Sequence, residues 1–351
     1  MTRFLPCASI LSLAVVFALP AGAASYLGAA DCRIATPQPV PSGTLAWNGA
    51  CKDGYAEGKG TLLWSADRNT YIIEGTLVRG EVSGEAKLKT RAGVYIGTLR
   101  QGIPHGQGYF EYANHGGWYE GAIVDGKYEG TGIFLAADRS RYTGYWKAGK
   151  RHGFGEETFG LGGSYKGQWE NDVFHGRGTI TYAGSGRQYE GEFREGRIAG
   201  LAPLEVDTKR YAMKEIPRVG SHLPEERGTS PFPPAAKWEN LSEVQKNTLR
   251  AMYPALERGD DPPYPVYGTR ELYQAVLRQT ELHDGVFGTA SVLLVVGADG
   301  KPKQANIVAT TNPQLAKVVA TTMMVQKYKP ASCQGKPCEM AYSVDLDYEI
   351  K

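Results

Sequence analysis

The stretch Y-T-G-Y-W-K-A-G-K-R-H-G-F-G, from Tyr142 to Gly155, carries the pattern that decides the fold of this chain. Close copies read Y-I-G-T-L-R-Q-G-I-P-H-G-Q-G from Tyr95 and Y-K-G-Q-W-E-N-D-V-F-H-G-R-G from Tyr165. Seven copies follow one another at intervals of 22 to 26 residues, beginning at Trp47, Ile73, Tyr95, Tyr119, Tyr142, Tyr165 and Tyr189. A repeated period of this length predicts an array over residues 47–200.

Each copy has the sequence of a β-hairpin. Tyr142, Gly144 and Trp146 occupy alternate positions, which places them on one face of a strand. Gly144 leaves a gap between two large rings, and we expect an aromatic ring from the next repeat to fill it. Stacked hairpins predict a mainly β fold, an elongated antiparallel sheet that advances about 10 Å per repeat.

Glycine marks both the turns and the close contacts of the array. Residues 47–200 hold 33 of the 45 glycines, a density that excludes long helices. Gly126 and Gly149 stand between paired strands, where a tight turn needs a positive φ. The H-G-x-G element that begins at His152 predicts a place where strands pass closely.

The repeated aromatic residues have two interpretations. They form the core of the sheet, or they line an exposed groove for a peptide, a sugar chain or a lipid surface. A single-layer sheet cannot bury both faces, so both interpretations stay open. The residues concerned are Tyr95, Tyr119, Tyr142, Trp146, Tyr165, Trp169, Tyr189 and Phe193.

Three repeated histidines, His105, His152 and His175, invite a metal or catalytic interpretation. Equivalent atoms of adjacent repeats lie about 10 Å apart, whereas zinc–nitrogen bonds are about 2 Å long. We therefore expect each histidine to hydrogen-bond a neighbouring turn, and we expect no metal and no cofactor. The remaining histidines have no partner that the sequence identifies: His115, His222 and His283.

These residues resemble the MORN (membrane occupation and recognition nexus) repeat family over residues 47–200. The resemblance implies structural support, self-association, or recognition of proteins and membranes. The chain departs from the motif at several places. Cys51, Leu77 and Leu99 replace the second aromatic residue, Glu57 and Ser83 replace the histidine, and Ala199 stands at the histidine position of the last copy.

The first residues predict an export signal. Arg3 is followed by an apolar run from Phe4 to Leu19 and by small residues that favour cleavage between Ala23 and Ala24. Residues 1–23 would then be removed, and the mature protein would be soluble in the periplasm. The alternative is an uncleaved membrane anchor, and mass determination of the mature N-terminus distinguishes the two.

Four cysteines remain after this cleavage, since Cys7 leaves with the signal. An even number in an exported chain favours disulfides, and four cysteines allow three connectivities. Local pairing is the simplest of these, and the spacings of 19 and five residues match no zinc framework. The pairs are then Cys32 with Cys51 and Cys333 with Cys338. The first pair joins the Pro-rich N-terminal segment, residues 24–46, to the first repeat.

A second proline-rich region follows the array. Ten of the 20 prolines lie between Leu201 and Tyr267, which predicts an extended linker over residues 201–261. One helix interrupts it, with Asn240 or Ser242 as its cap. Its apolar positions follow helical spacing: Leu241, Val244, Leu249, Met252 and Leu256, with Thr248 among them.

Residues 262–351 have the pattern of a small α+β domain. A helix is predicted over Gly268–Gln279 and another over Pro313–Val325, with Asn312 as its cap. The predicted strands are Thr289–Gly297, Lys303–Ala309 and Ala341–Ile350, with a tight turn at Ala298–Gly300.

This domain is similar to the C-terminal domain of the TonB energy-transducer family. The similarity is carried by Tyr264-Pro265, G-T-A-S-V-L-L-V-V-G-A-D-G from Gly288, Asn312-Pro313-x-Leu315, the run from Lys327 to Ala331, and Gly335-Lys336-Pro337. The chain departs from the family at Ala316 and in the loop between its last two cysteines. In TonB this domain accepts a strand from an outer-membrane transporter, so the resemblance implies protein or peptide binding by edge-strand addition.

Composition narrows the function further. The chain has 39 basic and 37 acidic residues, and its net charge of +2 is too small to create a long-range positive potential that would attract nucleic acid. The sequence has no G-x-S-x-G, H-E-x-x-H or phosphate loop. We therefore expect a non-enzymatic binding or scaffold protein that self-associates through its array. The alternatives are a TonB-type transducer or transport accessory, which would keep its N-terminal anchor, and an envelope glycan or lipid binder.

Overall fold

A computed structural model describes residues 25–36, 43–66, 69–100, 102–215, 225–274 and 288–348. The predicted signal peptide and its cleavage site lie outside these residues, as do His222 and His283. The chain divides into two compact units. The N-terminal unit comprises residues 1–136, 142–155 and 168–173, and the C-terminal unit comprises residues 137–141, 156–167 and 174–351.

The array consists of consecutive hairpin strands, as its period predicts. The described residues place seventeen strands in one sheet, in which consecutive strands from β5 to β17 are neighbours. Their bounds are β1 Ser25–Leu27, β2 Cys32–Thr36, β3 Thr44–Trp47, β4 Ala50–Lys52, β5 Gly54–Ala66, β6 Asn69–Val78, β7 Glu81–Thr90, β8 Gly93–Arg100, β9 Ile103–Tyr112, β10 Gly117–Val124, β11 Lys127–Ala136, β12 Arg141–Lys147, β13 Lys150–Thr158, β14 Ser164–Glu170, β15 Val173–Thr181, β16 Gln188–Arg194 and β17 Arg197–Ile198.

Strand register gives the N-terminal unit one buried face. Antiparallel pairing from β5 to β10 joins six apolar residues into a continuous row, and each is at most 5% exposed. The row is Leu62, Ile73, Leu88, Tyr95, Phe110 and Tyr119. Leucine in the degenerate copies therefore packs where aromatic rings pack later; Leu77 and Leu99 are buried as well.

The hairpin turns have the backbone conformation that two-residue loops require. Asp125 and Gly126 both have positive φ, 49° and 75°, and Ala148 and Gly149 follow at 51° and 84°. Two successive positive φ angles match the twist of the flanking strands, which is why glycine recurs there. The predicted roles of Gly126 and Gly149 are confirmed.

The gap at Gly144 is filled differently from our expectation. An added Cβ on Gly144 would lie 2.5 Å from the hydroxyl of Tyr142, in the same repeat, and one on Gly155 would lie 2.4 Å from it. The Tyr142 ring thus covers two facing glycines, and its hydroxyl donates to the carbonyl of Tyr145 at 2.9 Å. The prediction of a ring from the next repeat was wrong, because this hydrogen bond holds the tyrosine over its own strand.

The C-terminal unit contains a separate three-stranded antiparallel sheet. Its order is β22-β21-β26, and its central strand pairs with both neighbours along nearly its full length. The predicted order of strand, strand, helix and strand is confirmed. The bounds are β18 Tyr211–Glu215, β19 Glu225–Ser230, a 3-10 turn Trp238–Asn240, α1 Glu243–Arg250, β20 Tyr264–Pro265, β21 Gly288–Val296, β22 Pro302–Thr310, α2 Pro313–Val325, β23 Tyr328–Lys329, β24 Ala331–Cys333, β25 Lys336–Cys338 and β26 Met340–Tyr348.

Helix caps agree with the sequence. The Ser242 hydroxyl accepts from the amide of Gln245, whose side chain accepts from the Ser242 amide in return, so Ser242 rather than Asn240 starts α1. The Asn312 side chain caps α2 by accepting from the amides of Gln314 and Leu315. The helix predicted over Gly268–Gln279 is present at residues 269–274, and the rest of it lies outside the described residues.

Most of the predicted linker belongs to the core instead. Residues from Phe232 to Tyr253 pack with Tyr264, β21 and α2, and α1 ends before Pro254. The extended interpretation was wrong because it weighed the prolines and not the large apolar residues between them. Those residues, Phe232, Trp238, Leu241, Leu249 and Tyr253, are each at most 7% exposed. In the described part of this segment, residues 201–210 are largely exposed and have no regular secondary structure.

Disulfides join both local cysteine pairs, Cys32 to Cys51 and Cys333 to Cys338. The first holds β2 beside the first repeat, where Cys32 pairs in parallel with Gly54. The second closes the short β24–β25 hairpin. Both are consistent with an oxidising, extracytoplasmic environment. No helix in the described residues combines the length and apolar character needed to cross a bilayer.

Candidate functional site

The repeated aromatic residues form the core of the array. Seven of the eight are at most 3% exposed, and Tyr189 is half-buried. Trp146 lies within 6.1 Å, centroid to centroid, of four rings and donates its indole N–H to the Gly132 carbonyl at 3.4 Å. Trp169 donates to the Gly155 carbonyl at 3.2 Å. These rings are therefore unavailable to a ligand.

Burial also shapes the ionisation of the tyrosines. Removal from water raises the pKa of Tyr95 and of Tyr165 to about 12. The neutral hydroxyl is therefore the form present at neutral pH, and in Tyr95 it donates to the Thr98 carbonyl at 2.9 Å. These groups act as structural donors.

His105 has the role that its spacing predicts. Its Nδ1 accepts from the amide of Asp125 at 3.4 Å, so the side chain contacts the turn of the next hairpin. His152 is half-buried and His175 is exposed. His115 is exposed and adopts a positive φ of 59°.

The opposite face of the N-terminal unit carries apolar side chains that face solvent. Ile96 is 50% exposed and lies directly across from Tyr109, which in turn lies across from Glu120. The next row along this face places Trp118 opposite Leu135. The Tyr109 and Trp118 rings are 5.9 Å apart. This face is thus a mixed surface of rings, aliphatic groups and carboxylates.

A groove of about 510 Å³ opens on this face, and we call it the acidic groove. Its volume lies within the range of ligand-binding clefts. Because Glu85 lies on β7 and Glu120 on β10, the groove spans three strand spacings, about 14 Å. Its walls and floor are formed by Glu85, Ile96, Gln107, Tyr109 and Glu120, with Ala86, Gly97 and Gly108 between them.

The acidic groove is lined by two carboxylates, Glu85 and Glu120, and the cation Lys87 lies opposite Ile96 at its side, so negative charge is in excess. Neither Glu85 nor Glu120 forms an ion pair with any residue that the structure describes. Desolvation, and then the carboxylates of Glu111 and Glu120, raise the pKa of Tyr109, so its ring is a neutral surface beside acidic groups. This site was not predicted from the sequence, although the alternation of side chains along a strand places Ile96 and Tyr109 on the solvent face.

The C-terminal sheet has two outer strands. On β26, the carbonyl of Ala341 accepts from the Tyr253 hydroxyl at 2.8 Å, so part of this strand is occupied. On β22, Ile307 is 44% exposed. Within the described ranges, no strand pairs with the outer side of β22. This strand is therefore the more open edge.

Within the C-terminal unit, the loop after β15 packs on the domain core. The amide of Ala183 donates to the Ala255 carbonyl at 2.7 Å, and Arg187 pairs with Glu257 at 2.9 Å. Gly184 lies against the second disulfide, since an added Cβ would be 2.4 Å from the Cys333 sulfur. The last complete hairpin loop and the C-terminal core therefore share one packed interior.

Beside this interior lies a buried carboxyl group. Asp260 is 2% exposed, and its Oδ1 accepts from the Gln334 amide at 2.7 Å. Its Oδ2 has no hydrogen-bond partner among the described residues. Burial raises the pKa of Asp260, and the nearby carboxylates of Glu257 and Asp261 add to this shift, whereas the Gln334 amide and Arg187 oppose it.

We expect Asp260→Asn to stabilise the C-terminal unit at pH 7. The folded state holds the Asp260 proton more tightly than the unfolded state does, so the free energy of unfolding falls as the pH rises above about 4. Asparagine keeps the oxygen that accepts from Gln334 and removes the charge. Urea unfolding of both proteins from pH 4 to pH 8 measures the difference, which should widen with pH. Parallel curves would show that Asp260 is not the group responsible.

Comparison with known proteins supports the repeat assignment. The MORN repeat model matches residues 95–117, 119–141, 142–163, 165–187 and 189–201, which are the five later copies of the motif. No curated protein matches the chain. The C-terminal domain lies outside the matched residues, so its TonB likeness rests on the sequence pattern alone.

Proposed function

We propose that this chain is an exported, non-enzymatic binding protein that combines a MORN-type array with a C-terminal domain that captures an extended partner segment. The observation that supports this best is the outer side of β22 in a three-stranded sheet, with which none of the described strands pairs. An edge strand presents a row of free N–H and C=O groups, and an extended peptide pairs with it as a further strand.

The two strand edges are not equivalent in this proposal. Tyr253 already donates to β26, whereas β22 presents Ile307 to solvent. A captured strand on β22 would pair its backbone for affinity and would cover Ile307 for specificity. We therefore assign capture to β22.

Export and the absence of catalysis are the other parts of the proposal. The predicted signal sequence and the two disulfides support an oxidising compartment such as the periplasm. A cleaved signal leaves no anchor through which a TonB-type transducer would transmit force. The binding function is therefore preferred to transduction. The lack of catalytic motifs supports a protein that binds and organises and needs no cofactor.

Adjacent proline substitutions in β22 test the capture. In a strand, successive N–H groups point to opposite sides, so one of Gln304 and Ala305 directs its N–H towards β21 and the other directs it outward. Proline removes the N–H. The substitution that removes the N–H directed towards β21, either Gln304→Pro or Ala305→Pro, should lower the melting temperature. The other substitution removes the outward N–H, and we expect it to abolish capture of envelope proteins by the mature chain while the melting temperature stays unchanged.

The comparison between the two variants is the control. Loss of capture without loss of stability, in one variant only, supports strand addition at β22. If both variants capture the same proteins as the unsubstituted chain, or if capture declines only with stability, β22 is not the capturing edge.

A further inference from the structure

The acidic groove of the N-terminal unit has a composition that matches one kind of ligand. Its floor is apolar, because Ile96 and the Tyr109 ring lie side by side on neighbouring strands. Its two carboxylates, Glu85 and Glu120, stand on opposite sides of that floor and form no ion pair with a described residue, whereas the cation Lys87 lies directly opposite Ile96 on β7. Lys89, a nearby cation on β7, is already paired with Glu74 at 2.5 Å.

We propose that the acidic groove binds a lysine or arginine side chain from an extended basic segment of a partner protein. The methylene stem of such a side chain would lie on Ile96 and Tyr109, as long cationic side chains lie on apolar surface. Its charged end would then reach a carboxylate, and charge-assisted hydrogen bonds of this kind are the stronger ones. Gln107 offers an additional acceptor beside the ring.

The same unit already holds two of its own arginines on aromatic rings. The guanidinium carbon of Arg33 lies 4.3 Å from the Tyr55 ring centroid, and that of Arg151 lies 4.5 Å from the Trp169 ring. A cation over an aromatic face is attracted by the ring quadrupole. Tyr109 offers a comparable ring on the solvent face, with carboxylates beside it.

Charge and shape together favour a polypeptide over other ligands. An anionic ligand would face two carboxylates, Glu85 and Glu120, against the single positive charge of Lys87, and a neutral sugar would leave both carboxylates without an ion pair. The groove is open along the sheet face, so a bound side chain remains joined to a chain that continues beyond it. Because β22 belongs to the other unit, this proposal and the strand capture proposed above stand or fall separately.

A labelled synthetic peptide tests the proposal on the full chain. The probe is fluorescein–Lys-Leu-Arg-Leu-Lys-amide, and its control has glutamine in place of each basic residue. We expect saturable binding of the basic peptide by fluorescence anisotropy. We expect the Glu85→Gln/Glu120→Gln double variant to bind at least about tenfold more weakly, since each lost charge-assisted contact is a substantial part of such an affinity. Tyr109→Ala should show a similar loss.

Glu190→Gln is the matched control, because Glu190 is exposed on β16 and does not line the groove. We expect it to bind within about twofold of the unsubstituted chain, since screening limits the reach of exposed charges. Melting curves of all variants should coincide. The proposal is overturned if the basic peptide does not bind, if the glutamine peptide binds equally well, or if Glu190→Gln loses as much affinity as the double variant.

Discussion

Replacing Trp146 with alanine is expected to lower the free energy of unfolding of the N-terminal unit by about 3–5 kcal/mol. The side chain is 0% exposed, and its indole contacts three rings on the two preceding strands, β10 and β11. Its removal leaves a cavity that the paired backbones cannot close, and it leaves the Gly132 carbonyl without the indole donor. Urea unfolding followed by circular dichroism measures the effect.

Tyr145→Ala provides the control for this prediction. Tyr145 is the preceding residue, is 44% exposed and points to the opposite face. Its carbonyl, which accepts from Tyr142, is retained in the variant. We expect a change within about 0.5 kcal/mol, as for other surface substitutions. Equal effects of the two substitutions would contradict the assignment of the aromatic face as the core.

Gly155→Ala is expected to be about as harmful as the loss of a ring. Its added Cβ would lie 2.4 Å from the Tyr142 hydroxyl and 2.5 Å from a ring carbon, so the ring must leave its site. Displacing a buried aromatic side chain costs about 3–5 kcal/mol. Equilibrium unfolding of the variant measures this loss.

Gly149→Ala measures the cost of backbone strain alone, without the steric clash that an added Cβ meets at Gly155. Gly149 has a φ of 84° with no atom within 4 Å of an added Cβ, so only the cost of the left-handed backbone conformation remains, about 1–2 kcal/mol. In addition, Gly155→Ala should cost far less when Tyr142 is already alanine, since the two changes act on one contact. Additive effects in this double-mutant cycle would refute the ring-over-glycine account.

Local periodicity predicted a large part of this structure. Alternation of Tyr142, Gly144 and Trp146 predicted the strands, Gly149 predicted the turn, and the proximity of Cys333 and Cys338 in sequence favoured their disulfide. Asn312 predicted the start of α2. Each of these features is set by neighbours within a few residues, where backbone geometry and the direction of side chains follow directly from the chain.

The proline-rich segment shows where such reasoning fails. Ten prolines predicted an extended linker, yet Trp238 and Tyr253 join the core of the C-terminal unit. Proline restricts the backbone locally, but it does not determine whether the large side chains beside it find an apolar surface. That surface is formed by β21 and α2, far away in sequence.

The sequence by itself determined that this protein is an array of glycine-turned hairpins followed by a small α+β domain, because those features depend on spacing along the chain. Only the tertiary structure decided that Tyr142 covers its own glycines and that Glu85 and Glu120 flank an apolar floor. It also decided that Asp260 is buried and that one of its oxygens has no hydrogen-bond partner in the described part of the chain. Such features depend on which strands become neighbours in space, and therefore on contacts that no local pattern records.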